Sequence, residues 1–325
     1  MVRLMETVAY PEHDKLGPLG ATVSPLHQPA ELRKTLLGEF ERAVQAARSA
    51  AATVDQGAAT AVPEVRKALR RARAVLSLVS PALPNSESRA VRRALQEARR
   101  SLSALRDHAV APETLSKLEL SDEDRTTARR VLDSAAAAMP EVAEIKQLLG
   151  ESAARVAAQA EALAAALPRE LDVAVLGEGV GVIYAEARRA RRASKRSKGW
   201  FHTWRRRSKE LTYQLELVAS HAGARAAAIH EEIDGVTDRM SPAVDLIMLR
   251  EFVATYAQGI PAEDTERLVA AIDGQLAVLM KDARKAGRDS FELKPRRFAK
   301  RLAKAIRRDL TPADDAGASG EQAHD

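Results

Sequence analysis

The chain has 325 residues, 46% of them apolar and only 3% aromatic, and it carries 51 Lys and Arg against 45 Asp and Glu. It has no cysteine, which excludes disulfides, a thiol nucleophile and thiolate metal sites. No segment reaches 18 uncharged apolar residues and no cleavable apolar leader is visible, so the expectation is a cytoplasmic protein without membrane insertion.

Residues 1–24, with Pro11, Gly17, Pro18 and Gly20, read as an irregular leader. Helical patterns follow at about 28–54, 62–80, 87–107, 122–138, 141–166, 170–197, 200–219, 223–235, 242–257, 263–286 and 295–309. The apolar run Leu171–Leu176 falls inside one of them rather than forming a strand. Pro81, Pro84 and Asn85 end a helix, and Ser86 is placed to cap the next. Ser121 with Asp124 outlines a capping box, and Ser241-Pro242 offers an N-cap followed by proline at the first helical position. Alanine, leucine, glutamate and arginine dominate, so the fold class is all-α, with long helices in antiparallel bundles. The tail 311–325 holds Asp314, Asp315, Glu321 and Asp325 but no Lys or Arg, and is expected to be disordered. Setting those four acids aside, the total of +6 becomes +10 for the body. A body so positive favours a polyanionic partner.

Charge is concentrated. Between Arg188 and Glu210 there are eleven Lys or Arg and one acid. On a helix, His202, Arg205, Arg206 and Lys209 share a face, with Tyr213 on the same side. Trp204, Leu211, Leu215 and Val218 share the opposite one, so this helix packs on one side and presents cations on the other. Trp200 and Trp204 read as packing residues. Arg66, Arg70 and Arg73 form a second ladder, opposite Val65, Ala72, Leu76 and Val79. Arg188 and Arg192 repeat the spacing of four, and Arg297, Arg301 and Lys304 line one side of the last helix. Parallel rows of guanidinium groups suit a repetitive phosphate chain, because each forks onto two phosphate oxygens.

A weak repeat links two ladders. Placing 62–79 over 201–218, an offset of 139, sets Arg66 on Arg205, Lys67 on Arg206 and Arg70 on Lys209. The same offset carries Arg106-Asp107 to Asp245. Nucleotide-binding glycine loops and the metalloprotease H-E-x-x-H are missing, so no catalytic residue, metal or cofactor is assigned and a non-enzyme is expected. A helical protein that compacts nucleic acid would use the same charges and stays open at this point.

These residues resemble the CHAD family, the conserved histidine α-helical domain. Tyr184 with Arg188, then His202, Trp204, Arg205, Arg206, Lys209 and Tyr213, is similar to a Tyr–Arg pair followed by H-x-W-R-K-R-x-K-x-x-x-Y. Arg66, Arg70, Arg71 and Arg73, with Arg106-Asp107 downstream, resemble the partner motif H-x-x-R-x-x-x-R-R-x-R, although Pro63 stands where its histidine would be and Thr212 where a basic residue often precedes Tyr213. Lys294-Pro295-Arg296-Arg297-Phe298 also looks familial. The resemblance covers about 25–310 and implies two four-helix-bundle halves (about 25–166 and 170–310) about a pseudo-twofold axis, with a basic central channel. It further implies binding of inorganic polyphosphate and association with polyphosphate granules. The binding residues expected on this basis are Arg66, Arg70, Arg71, Arg73, Arg188, Arg192, His202, Arg205, Arg206, Lys209, Tyr213, Arg297, Arg301 and Lys304.

Overall fold

The computed structural model describes residues 29–56, 58–169, 171 and 173–310. The expected leader 1–24 and tail 311–325 lie outside the described residues. Among those described, the chain is all-α: α1 (Pro29–Thr53), α2 (Ala58–Val79), α3 (Asn85–Ser101), α4 (Ser103–Ser116), α5 (Asp122–Ala137), α6 (Val142–Ala166), α7 (Val173–Ala193), α8 (Lys198–Ala222), α9 (Ala224–Tyr256), α10 (Ala262–Ala286) and α11 (Pro295–Leu310). One continuous apolar core joins them, from Leu36 and Phe40 on α1 to Phe298 and Leu302 on α11. α1 packs on α2 and α6, and α3 packs on α6. Further along, α8 packs on α7 and α9, with α10 against α9 and α11 against α7. α2 touches both α7 and α8, which joins the two groups, and α4 lies on α9.

The capping box is present: Ser121 Oγ accepts from the Asp124 amide at 3.1 Å and donates to the Asp124 carboxylate at 2.7 Å. Ser197 caps α8, accepting from the Trp200 amide. Three local expectations fail. Ser86 is not a cap, because α3 begins at Asn85 directly after Pro84, and the Ser86 hydroxyl donates to Glu87 instead. The helix expected at 87–107 is two helices: it breaks at Leu102 and resumes as α4, which continues to Ser116. Finally, Ser241-Pro242 starts nothing. α9 runs through Pro242 without interruption. Its buried residues Ile229, Ile233, Val236, Met240, Ala243 and Ile247 make one stripe at spacings of three and four, and burying that stripe outweighs the roughly 3 kcal/mol a mid-helix proline costs.

The two tryptophans separate. Trp204 is fully buried and meets Phe201 and Phe291 edge-on, whereas Trp200 is 41% exposed and does not pack as expected.

Close approach of α7 to the end of α2 depends on Gly179. A Cβ there would sit inside the van der Waals shell of the Leu78 carbonyl, a backbone group with no freedom to swing aside. Gly179→Ala is therefore expected to destabilise the fold by roughly 1–3 kcal/mol, measured by denaturant unfolding. The same change at Gly177, whose Cβ would meet nothing within 4 Å, should be neutral or stabilising.

Candidate functional site

The amphipathic α2 buries Val65, Leu69, Ala72 and Leu76 and turns Arg66, Arg70 and Arg73 toward α3 and α8. At the break at Leu102 the end of α3 presents backbone carbonyls to a side chain from α2. Arg66 Nη1 takes two of them, donating to Arg99 O and Leu102 O at 3.0 Å each. A cation at the C-terminal end of a helix is favourably placed. Arg66 is only 6% exposed, and its Nε has no partner. Burial, reinforced by Arg70, Arg106 and Arg99, pushes its guanidinium down to about 9. Arg70 Nε donates to Arg66 O at 3.3 Å.

From α8 come His202, Arg205 and Arg206. Arg205 donates to Ser241 Oγ on α9 at 3.0 Å and leaves its own Nε buried without a partner. Burial first, and Arg70 second, hold its pKa below the usual value. Arg206 is lowered by burial and then by Arg73 and Arg207. His202 is lowered by burial and then by Arg206, Arg99, Arg106 and Arg205, so its imidazole is held neutral. Cations from α2, α3, α4 and α8 therefore converge. Among the described residues, none of Arg66, Arg70, Arg99, Arg205 and Arg206 pairs with a carboxylate, although many other arginines of the chain do. Crowded, partly desolvated cations without carboxylates cost stability, and an anion among them would relieve that cost.

Around this cluster lies a rim of paired charges. Arg73 reaches Glu210 at 3.1 Å, and Arg207 reaches Glu210 and Glu186 at 2.8 Å. Ser77 donates to Glu210 at 2.5 Å. Arg71 bridges Glu39 and Glu216, and its guanidinium stands 5.5 Å from the Tyr213 ring centre. Lys209 lies 5.3 Å from the same ring and pairs with Asp234 at 3.2 Å. Arg106 holds both Asp107 and Asp245.

The remaining expected residues sit elsewhere. Arg188 donates to Phe291 O and Glu292 O, and Tyr184 stacks on Phe298 with ring centres 3.8 Å apart. Arg301 pairs with Glu232. These contacts hold α11 on α7 and α9, and Arg192, Arg297 and Lys304 are exposed on the same flank. The structure thus brings together Arg66, Arg70, Arg73, His202, Arg205 and Arg206, with Arg71, Lys209 and Tyr213 beside them. It does not bring Arg188, Arg192, Arg297, Arg301 and Lys304 to that cluster. Sequence reading missed Arg99, which acts on Arg66, His202 and Arg206. The available signal was its spacing of seven from both Arg92 and Arg106.

The chain is a member of the CHAD family: the model of the CHAD domain matches residues 38–254, from α1 to the last turn of α9. No curated protein matches it.

Proposed function

We propose that this chain is a non-enzymatic module that binds inorganic polyphosphate between α2, α3, α4 and α8, and through it associates with polyphosphate granules. One observation carries this reading: among the described residues five arginines crowd together without an ion pair of their own, while neighbouring acids such as Glu210, Asp107 and Asp245 pair with other arginines. A flexible chain with one negative charge per phosphate meets such a row of forks repeatedly. A single small anion would engage one or two of them. Three acids near the cluster, Glu210, Asp107 and Asp245, are held by Arg73, Arg207 and Arg106 and are engaged as counter-ions.

Two halves about a pseudo-twofold axis are part of the proposal. α3 starts at Asn85 and α9 at Ala224, an interval of 139, and Arg106 meets Asp245 across that same interval. Carrying Arg71–Glu216 over by 139 positions gives Glu210–Ser77, which is also a contact. Reciprocal pairs of this kind are what a twofold interface generates.

Titration of polyphosphate into the protein by calorimetry, with free phosphate assayed alongside, tests the function. Saturable binding without phosphate release is expected, and sustained release above background would overturn the non-enzymatic reading. The pH dependence has a definite sign. In the empty protein the His202 pKa lies below its unfolded value of 6.5, so this group's contribution to stability is present above 6.5 and is lost as pH falls through it. A bound polyanion favours the charged imidazole, so binding takes up a proton and affinity rises from pH 8 toward pH 5.5, by at most about tenfold per pH unit. His202→Gln should flatten that slope. An unchanged slope in the variant would remove His202 from the site.

A further inference from the structure

An offset of 139 places opposite charges at equivalent positions beside the arginine cluster. Arg92, Arg99 and Arg106 recur at intervals of seven along α3 and α4, and so share one side of that helical stretch. Moved on by 139, these positions are Glu231, Asp238 and Asp245, all on α9. Three cations on one side thus answer to three acids on the other.

Each row is tied to the cluster. Arg66 reaches the carbonyls of Arg99 and Leu102, which locks the end of α3 against α2. Arg99 is half-buried with an unpartnered Nε, and Arg73, Arg70 and Arg100 all act on its guanidinium. Arg92 acts on Arg73 one step further along. On the opposite side, Asp245 accepts from Arg106 at 2.9 Å. Arg205 is bonded to Ser241, which lies between Asp238 and Asp245 on α9, and both carboxylates act on it. A polyanion laid along the cluster therefore meets forks on the α3 side and, at Asp238, repulsion on the α9 side.

We infer that the ligand path is one-sided: Arg99 and Arg92 on α3 form a third phosphate-binding ladder, and Asp238 on α9, beside the Arg106–Asp245 pair, forms an acidic margin that confines the chain to it. This rests on the polyphosphate reading and adds two binding residues and a boundary to it. The boundary also sets what fits. A flexible single phosphate chain can keep to one wall, whereas a rigid duplex with charge all round would press against the carboxylates.

The test is calorimetric titration of the full chain with long-chain polyphosphate at fixed salt, comparing Arg99→Gln, Arg92→Gln/Arg99→Gln, Arg99→Lys and Asp238→Asn with the unaltered protein. Arg99→Gln should weaken binding about tenfold, and the double substitution further. Arg99→Lys, which keeps the charge and loses the fork, should fall between. Asp238→Asn should leave affinity unchanged or tighten it. Matching melting curves of the empty variants establish that they are folded. Unchanged affinity in the Arg92/Arg99 double variant would overturn the third ladder, and weaker binding by Asp238→Asn would overturn the margin. If the unaltered protein binds no polyphosphate, the functional reading itself fails, and that result is distinct from either of these.

Discussion

Neutralising Arg70 and Arg206 together, as Arg70→Gln/Arg206→Gln, is expected to weaken polyphosphate binding by about a hundredfold or more. Each lost charge-assisted contact to phosphate is worth roughly 1.5–3 kcal/mol, and two such losses multiply in the binding constant. The comparison is Arg129→Gln/Lys146→Gln, which removes the same charge from two exposed positions on α5 and α6. If the cations acted only as a diffuse field, the two double variants would lose equal affinity. Arg70 and Arg206 suit this better than Arg66, because Arg66 also closes the end of α3 and its loss would unsettle the break at Leu102. The empty Arg70/Arg206 variant should melt at the same temperature as the unaltered protein or above it, since the substitution relieves repulsion among Arg66, Arg73, Arg99 and Arg205. Calorimetry gives the affinities and a thermal melt supplies the folding control. Equal losses for both variants would mean that the arginine cluster is not the site.

Much of the fold was legible because one-dimensional periodicity survives into packing. In α8 the sequence assigned Trp204, Leu211, Leu215 and Val218 to the core, and all four are buried to within 1%. The offset of 139, which carries Arg106-Asp107 close to Asp245, marks a weak repeat in the sequence and not a contact; Arg106 and Asp245 form an ion pair. Failures fall where tertiary contact outweighs a local signal. Ser241-Pro242 carries a strong start signal, but the buried stripe from Ile229 to Ile247 keeps α9 continuous. Nothing in the sequence marks Leu102 as a break, and the side chain that reaches the carbonyls there, Arg66, comes from a helix more than thirty positions away (|i−j| = 33 and 36).

For the site, the outcome depended on how far each side chain's surroundings follow from its own helix. The α2 and α8 ladders face each other, and their members could be read from spacing alone. Five arginines on α3 look alike in sequence, yet only the packing of Val91, Leu95 and Ala98 decides that Arg99 turns inward while Arg93 and Arg100 face solvent. Arg188 matched the motif and Arg301 the basic face of the last helix, but Arg188 bonds the carbonyls of Phe291 and Glu292 in the turn before α11, and Arg301 pairs with Glu232 on α9.

Competition between long-chain polyphosphate and duplex DNA, at equal total phosphate and fixed ionic strength, tests the central claim most directly. Both ligands supply phosphate, and both lose affinity as salt rises, because each releases counterions on binding. What separates them is shape. On the proposed reading, the arginines crowded between α2, α3 and α8 accept a thin, flexible chain. A duplex is limited to exposed cations such as Arg89, Arg93 and Arg100 on the outer face of α3. The expected result is that polyphosphate displaces bound DNA at equal phosphate and that DNA fails to displace polyphosphate. Displacement of polyphosphate by DNA under those conditions would contradict the account and make the chain a nucleic-acid-binding protein.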